Sequence, residues 1–76
     1  MFNTIEEYLE ALKKAAALEP SNASVWLNLG IIEERLGRKN DALASFKSYL
    51  SKNPNGNRTD FAKQKIQELL SAKGNS

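Results

Sequence analysis

The sequence has no cysteine and no histidine among its 76 residues. A chain without cysteine cannot form disulfides or thiolate metal sites, and a chain without histidine lacks the side chain best suited to proton transfer near neutral pH. The sequence also contains no Gly-rich phosphate loop, no metal-ligand spacing and no nucleophile–base motif. We therefore predict a protein that is not an enzyme and that requires no metal or cofactor.

Long hydrophobic runs are also missing. No stretch approaches the ~18 apolar residues of a membrane span, and the first residues lack the basic and apolar regions of a secretion signal. We expect no membrane segment and a cytoplasmic location. A chain with 41% hydrophobic and 26% charged residues is typical of one small globular domain, here residues 1–76.

Apolar residues recur at helical spacing in four stretches, and polar residues occupy the opposite faces. The predicted helices cover residues 4–18, 23–36, 40–52 and 59–72, and residues 74–76 are expected to fray. Pro20, Gly37 and the turn residues 53–56 separate them. The connection after Gly37 is too short to do more than reverse the chain, so the second and third helices must be antiparallel. The predicted fold class is all-α, an antiparallel helix-turn-helix arrangement of about four helices.

A 34-residue period is present inside the chain, because Pro20 and Pro54 are 34 positions apart and each closes a helix. Between them, Trp26-x-x-Leu29-Gly30 is followed by Ala42-x-x-x-Phe46. This pattern resembles the tetratricopeptide repeat. The resemblance covers one full unit, residues 23–56, between two half-units, and implies a right-handed helical solenoid. Its structural positions are Trp26, Leu29, Gly30, Ala42, Phe46 and Pro54, while Glu33 stands where tyrosine is usual.

The spacing of these residues has its own physical meaning. Gly30 and Ala42 lack bulk where two antiparallel helices are expected to cross most closely. Trp26 and Phe46 are large enough to fill the space on either side. We therefore predict a close crossing of the second and third helices.

The flanking helices depart from the repeat. Tyr8 occupies the position equivalent to Ala42, which indicates an end piece in which Tyr8, Phe2 and Ile5 cover the surface of a missing helix. The alternative is a fragment of a longer array. Asp60 replaces the tryptophan of the repeat in the fourth helix, which we interpret as a solubilising cap. Tyr49 stands where the repeat usually has a small residue. The sequence therefore does not determine the spacing between the third and fourth helices.

The resemblance also implies a binding face. In this family the first helix of each unit lines a concave groove that binds an extended or helical peptide. Leu27 and Ile31 are predicted to be an exposed anchoring pair one turn apart. The alternative is that both pack under the fourth helix. The candidate partner-binding residues are Ser24, Leu27, Asn28, Ile31, Glu34, Arg35, Arg58 and Lys65.

Some members of the family hold a C-terminal carboxylate of chaperones with paired lysine and asparagine residues. Asn28 matches one of these asparagine positions. Leu27 stands where a cation is expected, and Ile31 replaces the second asparagine. Chaperone tails are therefore not the expected ligand, while Asn28 and Arg58 retain the ability to contact a peptide backbone or a carboxylate.

The charges are unevenly distributed, at −4 over residues 1–34 and +6 over residues 35–76. This asymmetry favours an alternative function, a structural or engineered scaffold that self-associates, either head to tail or as a symmetric dimer through Phe2, Ile5 and Leu9. The basic residues are spread over several faces and the net charge is only +2, so nucleic acid is not an expected partner.

The adjacent carboxylates Glu33 and Glu34 do not indicate a catalytic pair. Consecutive helical residues point about 100° apart and cannot share a substrate. Glu33 is expected to contact Arg38 or Lys39 near the following turn.

Overall fold

The computed structural model describes residues 4–74, and these form four helices and no strand. The helices are α1 (Thr4–Leu18), α2 (Ala23–Arg35), α3 (Lys39–Lys52) and α4 (Thr59–Gly74). Consecutive helices pack against one another, α1 on α2, α2 on α3 and α3 on α4. The predicted all-α fold class is confirmed. Three boundaries differ from the prediction: α2 ends and α3 begins one residue earlier, and α4 continues two residues further, through the glycine that was expected to fray.

The turn between α2 and α3 is built around Gly37, whose φ of +78° lies in the left-handed region. The Gly37 amide donates to the Glu34 carbonyl at 3.0 Å, and the Arg38 amide donates to the Glu33 carbonyl at 2.8 Å. This pair of bonds is the Schellman motif, which satisfies the last carbonyls of a helix. The chain is therefore reversed within three residues, as the sequence predicts.

Two clusters of buried side chains hold the helices together. The α1–α2 cluster consists of Leu9, Leu12, Ala16, Leu29 and Ile32. The α2–α3–α4 cluster consists of Leu27, Ala42, Phe46, Tyr49, Ala62 and Leu69. Trp26 packs against both clusters. Its indole N–H donates to the Pro20 carbonyl at 2.8 Å, and the Lys52 ammonium lies 5.5 Å from its ring.

The crossing of α2 and α3 depends on the absence of a side chain at Gly30. A Cβ built on Gly30 would lie 2.8–2.9 Å from three ring carbons of Phe46, closer than real Cβ contacts. Phe46 and Ala42 are both completely buried. The predicted close crossing is therefore present, with the Phe46 ring lying directly over the glycine.

Tyr49 fixes the connection between α3 and α4. Its side chain is buried, and its hydroxyl accepts a hydrogen bond from the Arg58 amide at 3.3 Å. The Thr59 hydroxyl lies 3.3 Å from the carbonyl oxygens of both Asn53 and Pro54. The repeat usually has a small residue at position 49, which lets the next helix approach closely. Tyr49 instead contacts the start of α4 through a hydrogen bond to its hydroxyl.

The helix α4 buries one face and exposes the other. Thr59, Ala62 and Leu69 are buried, whereas Asp60 and Lys63 are exposed. Within residues 4–74, no helix is long and apolar enough to cross a membrane.

Candidate functional site

Four of the predicted partner-binding residues form one strip along α2. Ser24, Asn28, Ile31 and Arg35 follow one another at helical spacing on the same face. Ser24 and Arg35 are exposed, while Asn28 and Ile31 are half-buried. Ile31 packs at the edge of the α2–α3–α4 cluster. We call these four residues the α2 strip.

The prediction that Leu27 is an exposed anchor is wrong. Leu27 is only 6% exposed and belongs to the buried cluster that includes Ala62 and Leu69 of α4. The alternative, that Leu27 and Ile31 pack under the fourth helix, describes the structure. The cause is α4, which covers this side of α2 and removes Leu27 from any direct contact with a partner.

Glu34 and Lys65 connect α2 to α4 beside the α2 strip. The Lys65 ammonium lies 3.1 Å from Glu34 Oε1 and 3.3 Å from Glu34 Oε2, and 3.5 Å from a Glu68 oxygen. The hydrogen bond to Glu34 raises the pKa of Lys65 above its usual value. Lys65 is therefore held in place between two carboxylates and stays charged.

The aromatic ring of Phe61 lies near two cations, Arg58 just before α4 and Lys65 within it. The Arg58 guanidinium is 5.5 Å and the Lys65 ammonium 5.8 Å from the ring centroid. Phe61 is half-buried and meets the Phe46 ring edge to face, with centroids 6.2 Å apart. Phe61 was not among the predicted partner-binding residues, although the spacing Arg58-x-x-Phe61-x-x-x-Lys65 puts all three on one helical face.

Together these residues form a continuous candidate surface between two helices. Its amide comes from the α2 strip, and its apolar groups come from both helices. Its charged groups are divided between α2 and the segment that comprises Arg58 and α4. Its three cationic side chains face two carboxylates, Glu34 and the neighbouring Glu68, so its net charge is positive by one. We call it the α2–α4 surface, and its members are Ser24, Asn28, Ile31, Glu34, Arg35, Arg58, Phe61 and Lys65.

The repeat positions, by contrast, are structural. Leu29, Gly30, Ala42 and Phe46 are buried between helices. Pro54 is exposed in the α3–α4 turn, where its carbonyl accepts from Thr59. None of these five is placed to recognise a partner on the α2–α4 surface.

A concave region lies on the opposite side of α2, in a cleft of about 470 Å³ between α1 and α3. Glu33 lies at this cleft and is buried, and its Oε1 accepts a hydrogen bond of 2.5 Å from the Ser45 hydroxyl. The expectation that Glu33 would contact Arg38 or Lys39 is wrong, because its side chain turns inward to α3. The cleft is lined by Lys13, Ala16, Ala17, Pro20, Trp26, Leu29, Glu33 and Ser45.

Burial raises the pKa of the Glu33 carboxyl above its usual value of 4.5. Asp41 acts in the same direction, whereas the Ser45 hydrogen bond and the charges of Lys13 and Arg38 oppose it. Burial is the largest of these effects, because the charged form loses hydration that the other groups only partly replace.

We expect Glu33→Gln to raise the thermal midpoint at pH 7 and to leave it nearly unchanged below pH 4. The unfolded carboxyl titrates at about 4.5 and the folded one higher, so stability falls as the pH rises through the folded pKa. Glutamine still accepts from Ser45 but has no charge to bury. Thermal unfolding from pH 3 to pH 8 measures the effect, and a wild-type midpoint that exceeds that of the variant at pH 7 would contradict it.

No protein-family model matches the sequence, and no curated protein is significantly similar to it. Within the described residues, no group of three or more acidic, histidine or cysteine side chains is arranged to hold a metal ion.

Proposed function

We propose that this protein is a protein–protein interaction module, similar to a tetratricopeptide repeat, whose α2–α4 surface binds a carboxylate-bearing peptide or partner helix. The observation that supports the proposal most directly is the arrangement of Lys65 and Arg58 around Phe61, beside the open α2 strip. This combination offers charge, an aromatic surface and an amide within one continuous face.

Each group has a distinct part in the proposed contact. The Asn28 amide both donates and accepts, so it suits the backbone of an extended peptide. Ile31 and Phe61 are half-buried and provide apolar area next to the polar groups. Arg35 and Arg58 are exposed and suit carboxylates, for which the guanidinium fork is well shaped.

The burial of Leu27 narrows the proposal. The surface consists of one helical strip and one neighbouring helix. We expect it to bury less area than the roughly 800 Å² per partner of a standard interface. We therefore expect weak binding, with a dissociation constant on the order of 100 µM. A self-associating scaffold is the second candidate, and the exposed apolar face of α1 described below favours it.

A titration monitored by two-dimensional NMR tests the proposal. The probe is a glutamate-rich hexapeptide with a free C-terminus, added to the ¹⁵N-labelled chain. We expect saturable shifts of the Asn28 side-chain amide and of backbone amides in α2 and the first turns of α4. We expect the double variant Asn28→Ala/Arg35→Ala to lose most of this binding.

The control removes more charge from another face. Lys39→Ala/Lys47→Ala changes two exposed lysines of α3, and it should bind the peptide nearly as well as the wild type. If the control variant loses as much affinity as the double variant, binding reflects net charge alone. That result, or saturable shifts confined to α1 and α3, would sink the proposal.

A further inference from the structure

The helix α1 exposes an apolar stripe that lies beside its packed face, about a third of a turn round the helix. Four residues at positions i, i+3, i+7 and i+10 share this side, and the two large ones are 46% and 82% exposed. This stripe is separate from the α1–α2 cluster, whose α1 residues are buried. We call it the α1 stripe, and its members are Tyr8, Ala11, Ala15 and Leu18.

The expected dimer face of Phe2, Ile5 and Leu9 does not match this stripe. Leu9 is only 1% exposed and packs in the α1–α2 cluster, so it cannot contact a second molecule. Phe2 lies outside the described residues. The large exposed apolar groups of α1 are instead Tyr8 and Leu18.

The outward side of α4 differs in character. Asp60, Lys63, Gln64 and Gln67 are exposed there, with Leu70, 49% exposed, as the large apolar residue among them. The Gln64 side-chain amide donates to Glu68 at 3.2 Å. Polar groups of this kind are stable in water, whereas the α1 stripe leaves apolar area without cover. Among the described residues, α1 exposes two large apolar side chains along one stripe, whereas α4 exposes one, Leu70, among polar neighbours. The α1 end therefore offers the larger apolar surface to a partner.

The charges next to the α1 stripe indicate which partner fits. Glu7 and Lys14 are exposed and lie seven residues apart, so both flank the stripe on the same side. In an antiparallel pair of identical helices related by a two-fold axis, residues on the same flank face each other in reverse order. Glu7 of one copy then faces the partner's Lys14, and Lys14 faces the partner's Glu7.

We propose that two copies of this chain associate through their α1 stripes as a symmetric antiparallel dimer. The two Glu7–Lys14 contacts place the axis near Ala11, whose small side chain allows the helices to approach closely. Tyr8 then lies within about one helical turn of the axis, and Leu18 of each copy lies toward one end of the contact. This proposal does not depend on peptide binding, because the α1 stripe and the α2–α4 surface share no residue.

The size of the contact sets its strength. Two 15-residue helices, each about 22 Å long, bury less surface than a standard interface. We therefore expect half of the protein to be dimeric at a concentration on the order of 100 µM. Sedimentation equilibrium of the full chain measures this directly, and a chain that stays monomeric at about 2 mM, well above this range, overturns the proposal.

A charge swap tests the orientation. Glu7→Lys alone places two positive charges opposite each other at both contacts, and we expect about tenfold weaker dimerisation at low salt. Glu7→Lys/Lys14→Glu restores opposite charges in reversed order and should return the dissociation constant to within about threefold of the wild type. Both changes oppose the helix dipole and should destabilise α1. If the loss of dimerisation came only from a weakened helix, the double variant would therefore dimerise more weakly than Glu7→Lys alone. Failure of the double variant to recover overturns the antiparallel arrangement.

The absence of native cysteine allows a second, independent measurement. Ala11→Cys should form a disulfide-linked dimer under mild oxidation, because residue 11 lies near its own copy across the axis. The matched control is Ala44→Cys, an equally exposed alanine on α3 that should cross-link far more slowly. Circular dichroism confirms that each variant is folded. Equal rates of cross-linking for the two variants would contradict a two-fold axis at α1. So would a chain that stays monomeric and uses the α1 stripe to bind a different protein.

Discussion

Phe46→Ala is expected to destabilise the protein by about 3–5 kcal/mol, the usual range for removing a buried aromatic ring. Phe46 is completely buried, lies over Gly30 and meets the Phe61 ring edge to face. Its removal leaves a cavity at the point where α2, α3 and α4 meet. Since small domains have only about 5–15 kcal/mol of total stability, a chain of 76 residues should be near the limit of folding after this change.

Chemical denaturation followed by circular dichroism measures the loss. The matched control is Leu70→Ala, because Leu70 is a large apolar residue that is 49% exposed. We expect the control to lose less than about 1 kcal/mol, in line with partly exposed positions. Similar losses for Phe46→Ala and Leu70→Ala would show that the Phe46 ring does not organise the core.

Ala42→Leu should destabilise the protein by about 1–3 kcal/mol through overpacking. Ala42 is completely buried at the α2–α3 crossing, so a larger side chain must push the two helices apart or adopt a strained rotamer. The intrinsic helix propensity of leucine is close to that of alanine, so the loss reports packing and not helix formation.

The same substitution two residues later is the control. Ala44 lies on α3 as well but is exposed, and Ala44→Leu should change stability by less than about 0.5 kcal/mol. Thermal unfolding of both variants under one buffer condition is sufficient. If Ala42→Leu unfolds at the wild-type temperature, the close crossing of α2 and α3 is incorrect.

Much of this fold follows from local sequence signals. Periodicity identifies the helices, and Pro20 and Gly37 mark where the chain must turn. The small residues Gly30 and Ala42, together with Phe46, predict the α2–α3 crossing. The side-chain sizes that a crossing requires are visible in the sequence, because all of these residues belong to the same two-helix unit. These features depend on neighbours within one two-helix unit.

The candidate site depends on longer-range geometry. Leu27 is buried because α4 covers it, and the position of α4 is set by contacts such as the Tyr49 hydroxyl with the Arg58 amide. The hydrogen bond between Glu33 and Ser45 joins residues 12 positions apart on different helices. Helical periodicity gives the direction of each side chain around its own helix but does not say which helix arrives there.

Trp26 has a further consequence for how this molecule can be observed. It is the single tryptophan of the chain, and it packs against both buried clusters while its indole is bonded to the Pro20 carbonyl. Its fluorescence therefore responds when either half of the molecule opens. A single emission transition that coincides with loss of helicity would mean that α1 and α4, which lie at opposite ends, melt as one cooperative unit.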